Sequence, residues 1–216
     1  MIKDDYRHKG LRKQMVEELA TKGITDRVVL GAIEKVPRHI FMDSAFVELA
    51  YQNKAFPIGA GQTISHPFTV AFQSSLLQVA PGEKILEIGT GSGYQTSVLL
   101  ELGARVYSIE RQKYLFDKTR MILNKLGYDP YLSYGDGFKG LPGFAPFDKI
   151  IVTCGAPFLP QALLKQLTIG GRMVIPVEEE GKLIMKVIDR VEENDYVQMD
   201  FGEFRFVPML EKRQGS

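Results

Sequence analysis

Cysteine, tryptophan, histidine and unbroken apolar sequence are all scarce or missing here, and most of these shortages close a class of function. The single cysteine, Cys154, cannot form an internal disulfide, which fits a reducing cytosol and a cytoplasmic location. His8, His39 and His66 share no metal-ligand spacing with it, so no metal site is expected. No stretch approaches the roughly 18 apolar residues that read as a membrane span. Met1–Gly10 is polar and lacks the apolar segment of a secretory signal. Net charge is only +1, so the clustered basic face of a nucleic-acid binder is not expected. Without repeats, low-complexity tracts or linkers, residues 1–216 read as one soluble domain and as a monomer.

What is present falls into two textures. Residues 1–80 hold helical patterns and an irregular stretch. Leu11, Met15, Val16 and Leu19 share one helical face, as do Val28, Val29, Ala32, Ile33 and Val36, with a stop at Pro37. Tyr51–Gln62, with Pro57, Gly59 and Gly61, reads as irregular, and a helix opens at Ser65-His66-Pro67. Residues 81–216 alternate strands and helices. Strands are expected at Lys84–Ile88, Arg105–Glu110, Tyr131–Tyr134, Asp148–Thr153 and Arg172–Val177, and a helix at Pro160–Leu167. Near-continuous apolar strands between helices predict an α/β fold, a doubly wound, mostly parallel sheet covered on both faces. Leu183–Arg190 and Tyr196–Val207, joined by a polar turn, predict a C-terminal antiparallel hairpin.

The strongest local signal is Ile85-Leu86-Glu87-Ile88-Gly89-Thr90-Gly91-Ser92-Gly93-Tyr94-Gln95, an apolar strand running into a glycine turn and a helix. Such turns bring backbone N–H groups close to a ligand. A dinucleotide fingerprint would need glycine where Tyr94 stands, which argues against a nicotinamide-dependent oxidoreductase. The spacing of Gly89, Gly91 and Gly93 behind Glu87 instead resembles the cofactor loop of S-adenosylmethionine-dependent methyltransferases. In that reading Glu87 faces the cationic methionine end. Glu110, ending the second strand, can accept from both ribose hydroxyls, and Asp136, after the third, from the adenine amino group. No lysine or arginine grips a phosphate in the first loop, which suits a nucleoside ligand. Each residue alone also reads as an ordinary turn or strand end.

Further segments narrow the resemblance. Val36-Pro37-Arg38-His39-Ile40-Phe41, Ile58-Gly59-Ala60-Gly61-Gln62-Thr63-Ile64-Ser65, the glycine loop, Ser108-Ile109-Glu110-Arg111, Gly135-Asp136-Gly137 and Arg205-Phe206-Val207-Pro208 occur in that order. Together they resemble the protein-L-isoaspartate O-methyltransferase family over about residues 10–210. The resemblance implies methyl transfer from S-adenosyl-L-methionine to the α-carboxylate of isoaspartyl residues in damaged proteins and peptides. The ester then closes to a succinimide, and hydrolysis returns some normal aspartate. It also implies Ser65 as the active-site serine, with Gln62, Thr63, Ile64 and Val207 on the substrate. The cofactor is expected on Glu87, Gly89, Thr90, Gly91, Gly93, Glu110, Arg111, Gly135 and Asp136. Two departures stand out: Cys154-Gly155 where many relatives carry two alanines, and a short polar tail, Glu211–Ser216, expected to fray.

Carboxylate methylation needs no general base, because a carboxyl of pKa roughly 4 is already ionised at neutral pH. The lack of a His–Asp or Cys–His pair therefore carries no penalty. Ser65 has a competing reading as the N-cap of the helix beginning at Pro67. Arg38-His39 reads as structural sooner than as a substrate clamp, and Cys154 as a packing residue. Two other functions stay open at this stage. One is a methyltransferase for a small carboxylic acid, which would not require Gly61-Gln62-Thr63-Ile64-Ser65; the other is a nucleoside-binding module without catalysis.

Overall fold

A computed structural model describes residues 4–214. In helix α1, Tyr6–Thr21, the Asp5 carboxylate caps the start by accepting the His8 N–H at 2.9 Å, and Met15 and Leu19 are buried. Helix α2, Arg27–Lys35, is capped by Asp26 and buries Val29, Ala32 and Ile33. Val28, expected on that face, points out at 70% exposure. The helix ends before Pro37, whose ring disfavours helical backbone at Val36.

The stretch expected to be irregular contains a hairpin. Strands β1, Phe56–Gly59, and β2, Gln62–Ile64, pair antiparallel, Phe56 opposite Ile64. The tip turns through left-handed backbone at Gly59, Ala60 and Gly61, with φ of 99°, 52° and 67°, and glycine occupies two of the three positions. Helix α3, Pro67–Leu77, follows directly.

The remaining elements are β3 Lys84–Ile88, α4 Tyr94–Glu101, β4 Arg105–Glu110, α5 Lys113–Lys125, β5 Tyr131–Tyr134, β6 Phe147–Val152, α6 Gln161–Leu164, β7 Leu167–Glu179, β8 Lys182–Arg190 and β9 Tyr196–Phe204. Strands β3 to β9 form one sheet in the order β5-β4-β3-β6-β7-β8-β9, parallel from β5 to β7 and antiparallel through β8 and β9. The doubly wound sheet and its C-terminal hairpin are thus as the sequence predicts. Helix α6 is a single turn, shorter than expected, because β7 already begins at Leu167 and runs through Gly170-Gly171.

Alternate residues of the central strands face two separate cores. Ile85 and Ile151 pack into the core under the N-terminal helices, α4 and α5. Leu86, Ile88, Ile150 and Val152 pack into the other with Leu163, Leu164 and Met173. Each such side chain contributes roughly 1.5–3 kcal/mol by leaving water, so burial on both faces fixes the sheet's place. The chain winds from β3 through β4 to β5, then returns to place β6 on the other side of β3. That reversal opens a crevice at the carboxyl ends of β3, β4 and β6, where ligands of such sheets bind. Among the described residues no helix is long and apolar enough to cross a membrane.

Candidate active site

The crevice is an open cleft at the carboxyl ends of β3, β4 and β6. Its floor is made by Ile88–Ser92 after β3, Ile109-Glu110-Arg111 at the end of β4, and Thr153-Cys154 after β6. Gln62-Thr63-Ile64-Ser65 form one wall, and Val207-Pro208-Met209-Leu210 the other.

The glycine loop is held from beneath. The N–H groups of Gly89 and Thr90 donate to the Ile109 carbonyl at 2.9 and 3.1 Å, and the Gly93 N–H to the Thr90 carbonyl. A Cβ on Gly89, at φ 94°, would stand 2.7 Å from Thr153 Oγ1. One on Gly93, at φ 86°, would meet Thr119 Cγ2 at 2.7 Å, so both positions require glycine. Glu110 joins loop and strand, accepting the Gly91 N–H on Oε2 at 2.8 Å and the Gln112 N–H on Oε1 at 2.7 Å. Burial raises its pKa, while these amide donors favour its charged form.

Glu87 departs from expectation. Its carboxylate does not reach the cleft but is fully buried behind the loop, accepting from Thr96 Oγ1 at 2.5 Å and Ser108 Oγ at 2.7 Å on Oε2. Ser108 Oγ lies 2.6 Å from Thr90 Oγ1, so the acid connects to the loop through two hydroxyls. Burial, only partly offset by those hydroxyls, pushes its pKa up to about 7. Gly93, Gly135 and Asp136 also stand outside the lining. Asp136 accepts the Phe138 N–H at 3.0 Å and the Lys212 N–H at 3.1 Å, so both oxygens are engaged within the chain, not turned to the cleft.

The tail is docked through Gln214, contrary to the expected fraying. Besides the Lys212 contact, Arg111 Nε donates to the Lys212 carbonyl at 3.0 Å. The Gln214 N–H donates to the Arg111 carbonyl at 3.0 Å, and the Tyr134 hydroxyl to the Gln214 carbonyl at 2.6 Å. Residues 215 and 216, the rest of that expectation, lie outside the described residues. Upstream, the Gly155 N–H donates to the Val207 carbonyl at 2.8 Å, and the Met209 N–H to the Gly155 carbonyl at 2.7 Å. Met209 and Leu210 are thereby set in the wall; no sequence pattern marks them. Thr153 stands at a strand end and was legible as such, but the hydrogen bonding of its hydroxyl to the Ile88 and Gly89 carbonyls was not.

Ser65 lines the cleft but does not cap α3. The capping position is His66, with Pro67 in the first turn and no side-chain cap bond. Among the described residues the Ser65 hydroxyl has no hydrogen-bond partner, which leaves it free to meet a ligand. The Ser65 backbone is fixed by Arg38, whose Nη2 donates to its carbonyl at 2.7 Å. Arg38 is fully buried, also donates to the carbonyls of Ala50 and Lys54, and lies 4.8 Å from the Tyr94 ring centre. Burial lowers its pKa to about 10, so it stays a cation at neutral pH. His39 bonds Tyr51 at 2.7 Å, stacks on His8 and does not line the cleft. Burial, with Glu110 adding to it, pushes the Cys154 thiol up to about 12, which leaves it a neutral packing group at neutral pH.

Comparison with known proteins identifies the family. The family model for protein-L-isoaspartate(D-aspartate) O-methyltransferase matches residues 10–214. A protein-L-isoaspartate O-methyltransferase of Flavobacterium johnsoniae is 60% identical over 213 residues, covering 98% of this chain and 100% of that one. Its namesake in Christiangramia forsetii is 59% identical over 213 residues, with the same coverage. A solved beta-aspartate methyltransferase of Plasmodium falciparum, in complex with S-adenosyl-L-homocysteine, shares the fold with a TM-score of 0.83 at 23% identity, over 92% of this chain and 98% of that one. A matching family model across nearly the whole chain, with relatives near 60% identity, makes this chain a member of the protein-L-isoaspartate(D-aspartate) O-methyltransferase family.

Proposed function

We propose that the chain transfers a methyl group from S-adenosyl-L-methionine to the α-carboxylate of L-isoaspartyl residues in damaged proteins and peptides, initiating their repair. The observation that carries this reading is the free Ser65 hydroxyl, on backbone that Arg38 fixes through the Ser65 carbonyl, in the wall that faces the glycine loop. The residues present fit the cofactor: the loop has no phosphate-gripping cation, and the Glu110 carboxylate stands at the floor with lone pairs beyond its two amide bonds. When bound, S-adenosyl-L-methionine supplies an electrophilic methyl on a good leaving group.

The protein's own contribution is alignment and dryness. Glu110 would receive the ribose hydroxyls, and Gly89, Thr90 and Gly91 would let backbone approach the nucleoside. Glu87, Gly93, Gly135 and Asp136 serve this site at one remove, Glu87 through Thr96 and the Ser108–Thr90 pair, Asp136 by holding the Phe138 N–H and the tail. Arg111, tied to Lys212, keeps the tail at the rim. Ser65 donates to the acceptor carboxylate and turns it toward the methyl, while backbone groups of Gln62, Thr63, Ile64 and Val207 engage the isoaspartyl main chain. Backbone recognition suits an enzyme whose substrates vary in sequence around the damage. A cytoplasmic location belongs to the same proposal and is consistent with the free thiol of Cys154.

A methyltransferase for a small carboxylic acid would have no use for a peptide-facing hairpin, and the full-length relatives favour the protein substrate. The test is product chemistry. An isoaspartyl peptide incubated with the protein and S-adenosyl-L-methionine should gain one base-labile methyl ester, pass through a succinimide and yield some aspartyl peptide by mass spectrometry and chromatography. An ester on another carboxylate, or none, would reject the reading.

A further inference from the structure

Two smaller cavities continue outward from the cleft on the Ser65 side. The first is bounded by Thr63, Ser65, His66, Thr153, Arg205 and Val207, of which Thr63, Ser65, Thr153 and Val207 also line the cleft. The second adds Asn53, Phe68, Thr69, Glu203 and Phe204, and shares His66 and Arg205 with the first. The three form one path from the catalytic floor to solvent, passing between the start of α3 and the end of β9.

Arg205 supplies the guanidinium along that path. It is exposed, and among the described residues its guanidinium has neither a hydrogen bond nor an ion pair. Glu203, the acid beside it, pairs with Lys182 at 3.1 Å and is not spent on Arg205. The other titratable group on the path, His66, is held toward its neutral form by burial and by the charge of Arg38. Next to Arg205 lies an apolar ledge, where Phe204 stacks on Phe72 at 5.1 Å and Phe72 on Phe68 at 5.8 Å. An unpaired guanidinium above an apolar ledge matches an extended peptide that carries a carboxylate.

We propose that Arg205 and the groove between His66 and the end of β9 form a specificity subsite for the peptide flanking the isoaspartyl residue, and that it selects an acidic side chain there. The inference rests on the reading of the cleft as an isoaspartyl methyltransferase site. It adds a residue that sets affinity without touching the reacting atoms. Because Arg205 does not line the cleft that holds the glycine loop, its charge discriminates between substrates and does not accelerate methyl transfer.

The test uses isoaspartyl peptides of one length with glutamate, alanine or lysine in the positions flanking the damaged residue, each flank varied separately. On one flank the glutamate peptide should show a KM about fivefold below that of the alanine peptide, with kcat unchanged, the scale of one partly exposed charge pair. Arg205→Ala should erase that difference and leave kcat on the alanine peptide as it was. Arg205→Glu should invert the preference toward lysine, and Arg205→Lys should keep part of it. Equal KM across all flanks, or a loss in Arg205→Ala that is uniform over every peptide, would overturn the subsite. Methylation of the alanine peptide reports separately on the underlying activity. Its absence would reject the isoaspartyl reading and the subsite together, whereas its presence with flank-independent KM would reject the subsite alone.

Discussion

Arg38 donates from a fully buried position to the backbone carbonyl of Ser65 at 2.7 Å. The same guanidinium holds the carbonyls of Ala50 and Lys54, so three turns of irregular chain converge on one cation. The wall carrying the candidate catalytic hydroxyl is thus fixed by a strut from the short 3-10 turn Arg38–Phe41, well upstream and just after Pro37.

Removing that strut should cost stability before chemistry. Arg38→Met orphans three carbonyls and is expected to lower the unfolding free energy by about 3 kcal/mol. Denaturant titration checks this, and an unchanged midpoint would remove Arg38 from the role. Arg38→Lys should recover only part of the loss, because a single ammonium lacks the fork geometry that reaches several carbonyls.

Glu87 makes stability depend on pH. Its folded pKa, about 7, lies above its ordinary value of 4.5, so the fold favours the protonated form. Below about pH 4.5 both states hold the proton and nothing is lost. As pH rises toward 7 the unfolded chain ionises first, stability falls, and above 7 the penalty is complete. Glu87→Gln should therefore be more stable than the parent at pH 8 by roughly 3 kcal/mol, with the gain fading by pH 4.5. A gain independent of pH would show that the Glu87 proton is not the cause.

Ser65→Ala removes a hydroxyl that no other described residue uses, so folding should be unaffected. Turnover on an isoaspartyl peptide should fall by about 100-fold, the scale for one oriented donor at a reacting group. Cofactor affinity, read by calorimetry, should change by less than about threefold, since the adenosyl floor is untouched. Equal losses in both would move Ser65 from the reacting carboxylate to the cofactor.

The fold was legible because its strands are apolar on both faces. That same property hid Glu87. Ile85 and Leu86 point into different cores, so no alternation in the sequence tells which way the following acid faces, and it turned behind the loop. The hairpin of β1 and β2 escaped because its strands are short, contain Pro57 and meet at Gly59-Ala60-Gly61, a composition that reads as loop. Ser65 as a cap failed by one residue, the usual uncertainty of a helix boundary. The docked tail depends on main-chain N–H groups of Lys212 and Gln214, which leave no trace in residue type. Glu110, by contrast, was readable from its place at a strand end, and it does stand on the floor of the cleft.

The most direct measurement of the central claim compares two synthetic peptides that differ only in one linkage, isoaspartyl against normal aspartyl. Each is incubated with the protein and radiolabelled S-adenosyl-L-methionine, and base-labile methyl ester is counted. The account predicts label on the isoaspartyl peptide alone. Equal label on both, or label on neither while the cofactor still binds, would contradict it.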